Sequence, residues 1–431
     1  LKTGEEMVEH DEELAMIESG KKPVIQKKHK KSGLSALQSL IVSTATRVGM
    51  GNLVGVVAAI SMGGAGAIFW MWVTALIGSA TAFAEATLAQ LHKQKDPLYG
   101  GFRGGPAYYI HDWVNDRRRA RTQAGDSFRE RKSLLAMLFA LSGLICWCGV
   151  SQVVSNSMAS SFENAFGITP IASTTVLVIL SAIIVLRKNA TVRVLDIVVP
   201  IMSGIYILTT IWLIITNFGQ LGIVLKRIFS EAFGLRQAAA GGFGAVLMNG
   251  VKRGLFSNEA GSGSAPCAAA AAECSHSAEM GLTQALGVFI DTLICTCTAM
   301  VMLLAPEETV SGLQGMDLLQ TAMDWHFGKI GVIFIAVILW LFCFSTFLGI
   351  LFYARSNVAY LFGDNWASQT AYKIIALLML FIGGLAAYTF VWDLGDVGVG
   401  LMTIFNLIAL VPLSGQAVQC LKEYEASKMN G

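Results

Sequence analysis

The sequence predicts an all-α, polytopic membrane protein of about ten transmembrane helices, arranged as two inverted halves of five. Three observations predict it. The 431-residue chain is 54% hydrophobic and 14% charged, where a soluble chain carries about 25% charged residues. Its apolar residues gather into runs of about twenty or more, long enough to cross a hydrocarbon core of ~30 Å. Two of those runs, around 44–52 and 249–261, are interrupted by glycine and charge at matching places in the two halves. The bilayer interior tolerates such interruptions only where irregular backbone lines a protected cavity.

Segment 1 covers 35–62 and contains Thr44-Ala45-Thr46-Arg47-Val48-Gly49-Met50-Gly51-Asn52. Segments 2 to 5 follow at 65–91, 133–162, 170–187 and 193–217, each an apolar run closed by polar residues. Residues 218–238 are amphipathic and suit the membrane interface, as do 99–113, where Tyr108, Tyr109 and Trp113 fit the headgroup level. Segment 6, at 240–263, holds Asn249-Gly250-Val251-Lys252-Arg253-Gly254 and then Ser257-Asn258-Glu259. Segments 7 to 10 lie at 278–305, 329–361, 369–389 and 394–416, with 306–328 read as a loop carrying a surface helix.

The basic residues set the orientation. Lys27, Lys28, Lys30 and Lys31 precede segment 1; Arg117 to Arg119, Arg121, Arg129, Arg131 and Lys132 follow segment 2; Arg187, Lys188 and Arg193 follow segment 4. These share one side in a ten-span chain, so the positive-inside rule makes both termini cytoplasmic in the plasma (inner) membrane. Lys226, Arg227 and Arg236 weigh slightly against this, and the larger clusters decide. The expected organisation is a charged cytoplasmic segment at 1–33, a first repeat at 34–217, an interfacial connection at 218–239, a second repeat at 240–418 and a cytoplasmic tail at 419–431. Halves of five spans enter the membrane from opposite sides, so the repeats are inverted. In that architecture substrate and ions bind where the first helix of each half unwinds.

The breaks therefore supply the candidate binding residues. Gly49 and Gly51 are the hinge of segment 1. Unwinding there frees the amides of Met50, Gly51 and Asn52 at the start of a half-helix, an anion site by both orphan N–H groups and helix dipole. The carbonyls from Ala45 to Val48 face the same space and suit a cation. Close packing is the alternative use of these glycines. In segment 6, Asn249 and Gly250 are expected at the break and on the ligand side, while Lys252 and Arg253 are read as scaffolding that snorkels or pairs with Glu85 or Glu259. Gln152 and Asn156, four apart in segment 3, share a face that can look into the bundle. Ser345 and Thr346 in segment 8 either bond back to a carbonyl one turn earlier or hold a ligand. Glu85 and Asp291 are read as supports of unwound backbone, and Asp393 and Asp396 as solvated.

Several function classes are excluded by what the chain lacks. It has no phosphate loop ending in Lys-Ser or Lys-Thr, no metal-spaced His pair and no nucleophile elbow, so it reads as neither an ATP-driven pump nor an enzyme. The net charge of +2 gives no signal for nucleic acid. The eight cysteines follow no disulfide or metal spacing and read as reduced apolar fillers. The opening stretch is charged, without the apolar core of a signal peptide. A passive facilitator or channel using the same broken helices is the alternative to a coupled carrier, and a sensor would need an output domain.

Four runs carry a resemblance: Arg47-Val48-Gly49-Met50-Gly51-Asn52-Leu53, Gly66-Ala67-Ile68-Phe69-Trp70-Met71-Trp72-Val73, Phe102-Arg103-Gly104-Gly105-Pro106-Ala107-Tyr108-Tyr109, and Arg253-Gly254-Leu255-Phe256-Ser257-Asn258-Glu259-Ala260-Gly261-Ser262-Gly263-Ser264-Ala265-Pro266. They resemble the alanine or glycine:cation symporter family from about residue 34 to about residue 418. The resemblance implies the LeuT-type fold and uptake of a small neutral amino acid coupled to sodium, or in some members to protons. It implies carboxylate contact by the amides of Met50 and Gly51, and a sodium ion held by Ser345 and Thr346 with the carbonyls of Ala45 and Val48. Family members usually carry a further helix ahead of the core, which this sequence, starting at Leu1, does not include. Many have Gln at Val154 and Trp at Ile350, so a larger substrate such as glutamine, moved with protons, is the alternative to alanine or glycine.

Overall fold

The computed structural model describes residues 48–121, 130–187, 193–233 and 242–429. Among these it is helical nearly throughout. The first element, α1 (Gly51–Gly63), is wound as a π-helix through Gly55 before becoming α-helical. The long α2 (Gly66–Leu91) follows, then a short antiparallel hairpin of β1 (Gln94–Lys95) and β2 (Phe102–Arg103). Helix α3 (Pro106–Arg121) leads to α4 (Leu134–Phe166), which Ser133 caps by accepting from the amide of Ala136. Proline at the first turn suits α5 (Pro170–Val185), since its missing N–H has no intrahelical role there. Helix α6 (Arg193–Thr216) then turns by 101° into α7 (Phe218–Ala232).

The second part begins with α8 (Gly242–Asn258), an irregular stretch, and the short α9 (Ala265–Ala271). After α10 (Ser277–Leu303) come α11 (Glu307–Val310) and α12 (Gly315–Phe327). Three long helices complete the bundle: α13 (Lys329–Phe362), α14 (Trp366–Leu385) and α15 (Tyr388–Met429). Helices α2, α4, α10, α13, α14 and α15 are long and apolar enough to cross a membrane, and the bent α6–α7 pair adds a seventh candidate. Leu76, Ile77, Leu208, Trp212, Ile215 and Val411 stand exposed on these helices, as side chains facing lipid do. This is a multi-pass membrane protein.

Segments 2 to 5 and 7 to 9 each coincide with a helix to within a few residues, segment 6 breaks, and segment 10 lies inside the longer α15, which continues to Met429 through most of the expected tail at 419–431. The start of segment 1, with Ala45, lies outside the described residues. Helix α4 is central, packed along α13, α14 and α15, while α2 runs against α8 and α10. Helix α7 is amphipathic, as expected, and its buried edge is pinned to the start of α2: Glu231 accepts from the amide of Ala65 at 2.8 Å, and the Trp70 indole donates to the carbonyl of Ala232 at 2.8 Å. Two surface expectations change. Tyr108 and Tyr109 are buried rather than set at the headgroup level, Tyr108 donating to the carbonyl of Ser356 and Tyr109 to Asn406. Helix α12 buries Met316, Leu319, Ala322 and Met323 against its neighbours instead of lying free on the surface.

Candidate functional site

A cavity of about 50 Å³ lies between the first helix start and the irregular stretch after α8. Its lining includes Gly49, Met50 and Gly51 on one side, Ser257 and Glu259 on another, and Thr346 and Ile350 on α13. A water needs about 10–15 Å³ of such space, so the cavity takes a handful of water-sized groups, the scale of the smallest amino acids.

The first break is held by side chains. The amide of Gly49 donates to Asn52 Oδ1 at 2.9 Å, and the amide of Met50 donates to Thr346 Oγ1 at 3.1 Å. Asn52 is fully buried, and its own amide group donates to Asp291 Oδ1 at 2.6 Å. Glycine is required at 49 because a Cβ there would lie 2.3 Å from Thr346 Oγ1. Glycine at 51 brings the two breaks close together, a Cβ there being 3.2 Å from the Cα of Ser257. The two broken segments therefore touch directly. Asp291 on α10 joins them a second time: its Oδ2 accepts from the Ser257 hydroxyl at 3.0 Å.

The second break falls later than the sequence suggests. Helix α8 continues unbroken past Asn249 and Gly250 to Asn258, and the chain unwinds between 259 and 264. Glu259 has φ 54°, the one non-glycine residue at positive φ among the described residues, and Gly261 and Gly263 have φ 88° and 86°. That conformation costs a side-chain-bearing residue about 1 kcal/mol or more. It persists because side chains bond the unwound backbone at Glu259, Ala260 and Gly261. Asn258 Oδ1 takes the amide of Ala260 at 3.0 Å, Glu85 Oε2 takes that of Gly261 at 2.9 Å, and the Ser262 hydroxyl donates to the carbonyl of Glu259 at 2.9 Å. Asn406 donates to both Glu85 and the carbonyl of Gly261, and is itself bonded to Tyr109. Glu85 thus holds irregular backbone directly, and Asp291 acts on the first break through Asn52.

The sequence-based candidates divide accordingly. Gly49, Met50, Gly51 and Thr346 line the cavity, and Asn52 shapes the break behind them. Val48 is buried next to Gly49, and Ala45 lies outside the described residues. Ser345 does not reach the lining; its hydroxyl bonds back to the carbonyl of Phe342 at 3.0 Å. Asn249 and Gly250 are elsewhere. Asn249 donates to the carbonyls of Met62 and Ala245, and a Cβ at Gly250 would sit 2.4 Å from Trp70 Cβ, so that glycine serves the close crossing of α8 over α2. Gln152 and Asn156 share a face, but it looks onto α14: Gln152 donates to Met379 Sδ, and Asn156 to the carbonyls of Gly383 and Ala386. Val154 is buried away from the cavity, while Ile350 forms part of its wall.

Two charges behave differently from expectation. Arg253 pairs with Asp396 on α15, through two bonds of 2.8 and 2.9 Å; Lys252 adds a third contact at 3.5 Å. Asp396 is therefore not solvated. The Arg253 guanidinium also lies 3.9 Å from the ring centre of Trp392, and Trp392 packs edge-on against Phe256, a lining residue. Ion pair and aromatic contacts together tie α8 to α15 behind Phe256 in the cavity wall.

The sequence matches the Sodium:alanine symporter family over residues 12–431. The amino-acid carrier protein AlsT of Bacillus subtilis (strain 168) is 40% identical over 403 residues, which cover 93% of this chain and 82% of that protein. The probable sodium/glutamine symporter GlnT of the same organism is also 40% identical over 403 residues, covering 93% and 80% respectively. Among solved structures, MhsT in complex with L-phenylalanine aligns with a TM-score of 0.60 at 13% identity, over 87% of this chain and 89% of that one. The likeness to MhsT is one of fold, the LeuT-type bundle of five plus five helices.

Proposed function

The chain belongs to the sodium:alanine symporter family, and from that premise we propose that it carries a small neutral amino acid, alanine- or glycine-like, across the membrane with sodium by alternating access. The observation that carries this reading is the cavity between the two breaks, lined by Met50 and Gly51 at the helix start and by Thr346, whose hydroxyl meets the Met50 amide. The amides suit the carboxylate of an amino acid. The hydroxyl suits a sodium ion, with the carbonyls of Val48 and Ala45 as the other sequence-based ligands; Ser345, bonded back to Phe342, is left out of that set. Sodium is cargo here, bound and released with the amino acid.

The inverted repeats are 34–217 and 240–418, and their two broken segments meet at the cavity. Basic Arg117, Arg118, Arg119, Arg121, Arg131 and Lys132 are cytoplasmic under the positive-inside rule, which places both termini there in the inner membrane. Arg253 and Asp396 then lie on the outer side of the second break, where their ion pair ties α8 to α15. Purified protein in liposomes tests the reading: an inward sodium gradient should drive alanine above its external concentration, and simple equilibration would leave a facilitator in its place.

A second substrate has a specific observation behind it. Ile350 stands in the cavity wall where the family resemblance places Trp, and GlnT is named for glutamine. Ile350→Trp is expected to fill that end of the cavity. Glutamine competition against alanine uptake should weaken about tenfold or more, while glycine competition stays within about twofold, because overfilling a formed pocket costs on the order of 1–3 kcal/mol for the ligand that needs the space.

A further inference from the structure

The amide of Met50 and the hydroxyl of Thr346 are assigned above to different ligands, and in this structure they are bonded to each other at 3.1 Å. Met50 is fully buried, and both residues line the cavity. Gly49 makes the contact possible, since any side chain there would displace Oγ1. The neighbouring amide, of Gly49, is satisfied separately by Asn52. A carboxylate that takes the Met50 N–H must draw it away from Thr346. A cation on Thr346 Oγ1 puts positive charge against the same N–H and weakens the bond from the other end.

We propose that the Met50–Thr346 hydrogen bond is a shared lock on the substrate and cation sites, so that whichever ligand binds first opens the site for the other. This rests on the symporter reading and explains how its two ligands become linked. The first ligand bears the cost of the broken bond, and the second meets a partner already released. Linkage makes the effect reciprocal. One hydrogen bond is worth about 1 kcal/mol net, so the lock contributes about threefold to tenfold to the mutual affinity.

The lock is tested by alanine binding to the full-length protein in nanodiscs, in sodium or in choline. Thr346→Val removes the hydroxyl at nearly constant volume and leaves the Met50 amide available. It should bind alanine about threefold to tenfold more tightly than wild type in choline, and sodium should no longer strengthen binding. Thr346→Ser, which keeps the hydroxyl, should restore the wild-type pattern. Unchanged or weaker sodium-free affinity in Thr346→Val overturns the lock, because a residue that only holds sodium, or only supports the fold, gives no gain.

A measurement on wild type makes the test independent of that variant's folding. With backbone ¹⁵N label on methionine, the Met50 amide resonance should shift on addition of sodium alone; a resonance that stays put overturns the proposal. Wild type that binds no alanine in either salt contradicts the symporter reading itself, whereas sodium-strengthened binding in wild type without the gain in Thr346→Val contradicts only the lock.

Discussion

Replacing Arg253 with methionine should destabilise the protein by about 3 kcal/mol and remove concentrative uptake. The guanidinium is 1% exposed and is held by Asp396, whose side chain is 16% exposed. Removing one member of a buried pair leaves the other as an uncompensated charge, which costs on the order of 3–5 kcal/mol. Lys252 softens that here, since its ammonium sits 3.5 Å from the same carboxylate. Thermal unfolding of the detergent-solubilised protein measures the loss. The double variant Arg253→Met with Asp396→Leu should recover most of the stability, because two apolar side chains of suitable volume can replace a buried pair. If the double variant melts as low as the single one, Trp392 stacking rather than charge pairing is the main contribution.

The second large effect is expected at Asp291. Its carboxylate binds Asn52 of the first break and Ser257 of the second, and it is 1% exposed. Asp291→Leu removes both bonds and leaves their donors buried. Hydrogen bonds to a charged group are worth about 1.5–3 kcal/mol each, so alanine uptake should fall about a hundredfold or more in kcat/KM. Asp291→Asn keeps an oxygen to accept from Asn52, and the Ser257 hydroxyl can turn to accept from the new amide, so most of the activity should return. Equal loss in both variants would mean that the negative charge itself is required.

Much of this was legible in the sequence, because lipid imposes a simple rule. Apolar runs had to be helices, so segments 2 to 5 and 7 to 10 lie where hydropathy places them. The first break was legible for a local reason: Gly49 and Gly51 flank a residue whose amide must turn outward, and Asn52 sits three residues on to cap it. The second break was not. Gly250 and Gly261 have the same signature in one dimension, yet one admits the backbone of α2 and the other adopts a left-handed turn. Only the distant Trp70 and Glu85 tell them apart.

The same limit explains Gln152 and Asn156. Their spacing fixes a shared helix face, but which helix that face meets is set by contacts about 227 residues away with Met379 and Gly383. Asp396 was missed as the partner of Arg253 because its position at the mouth of an apolar run looks solvated until the fold brings Arg253 of α8 against it. Asn406 drew no attention as a single amide in segment 10, although a lone Asn inside a membrane helix is itself a signal that unwound backbone needs a partner.

The most direct test of coupled transport reverses the usual assay. Liposomes containing the protein, with sodium equal on both sides and alanine outside only, are followed with radioactive sodium. A symporter predicts that the inward alanine gradient drives sodium inward against no gradient of its own, and that omitting alanine abolishes the flux. Alanine entering with no accompanying sodium would contradict the account.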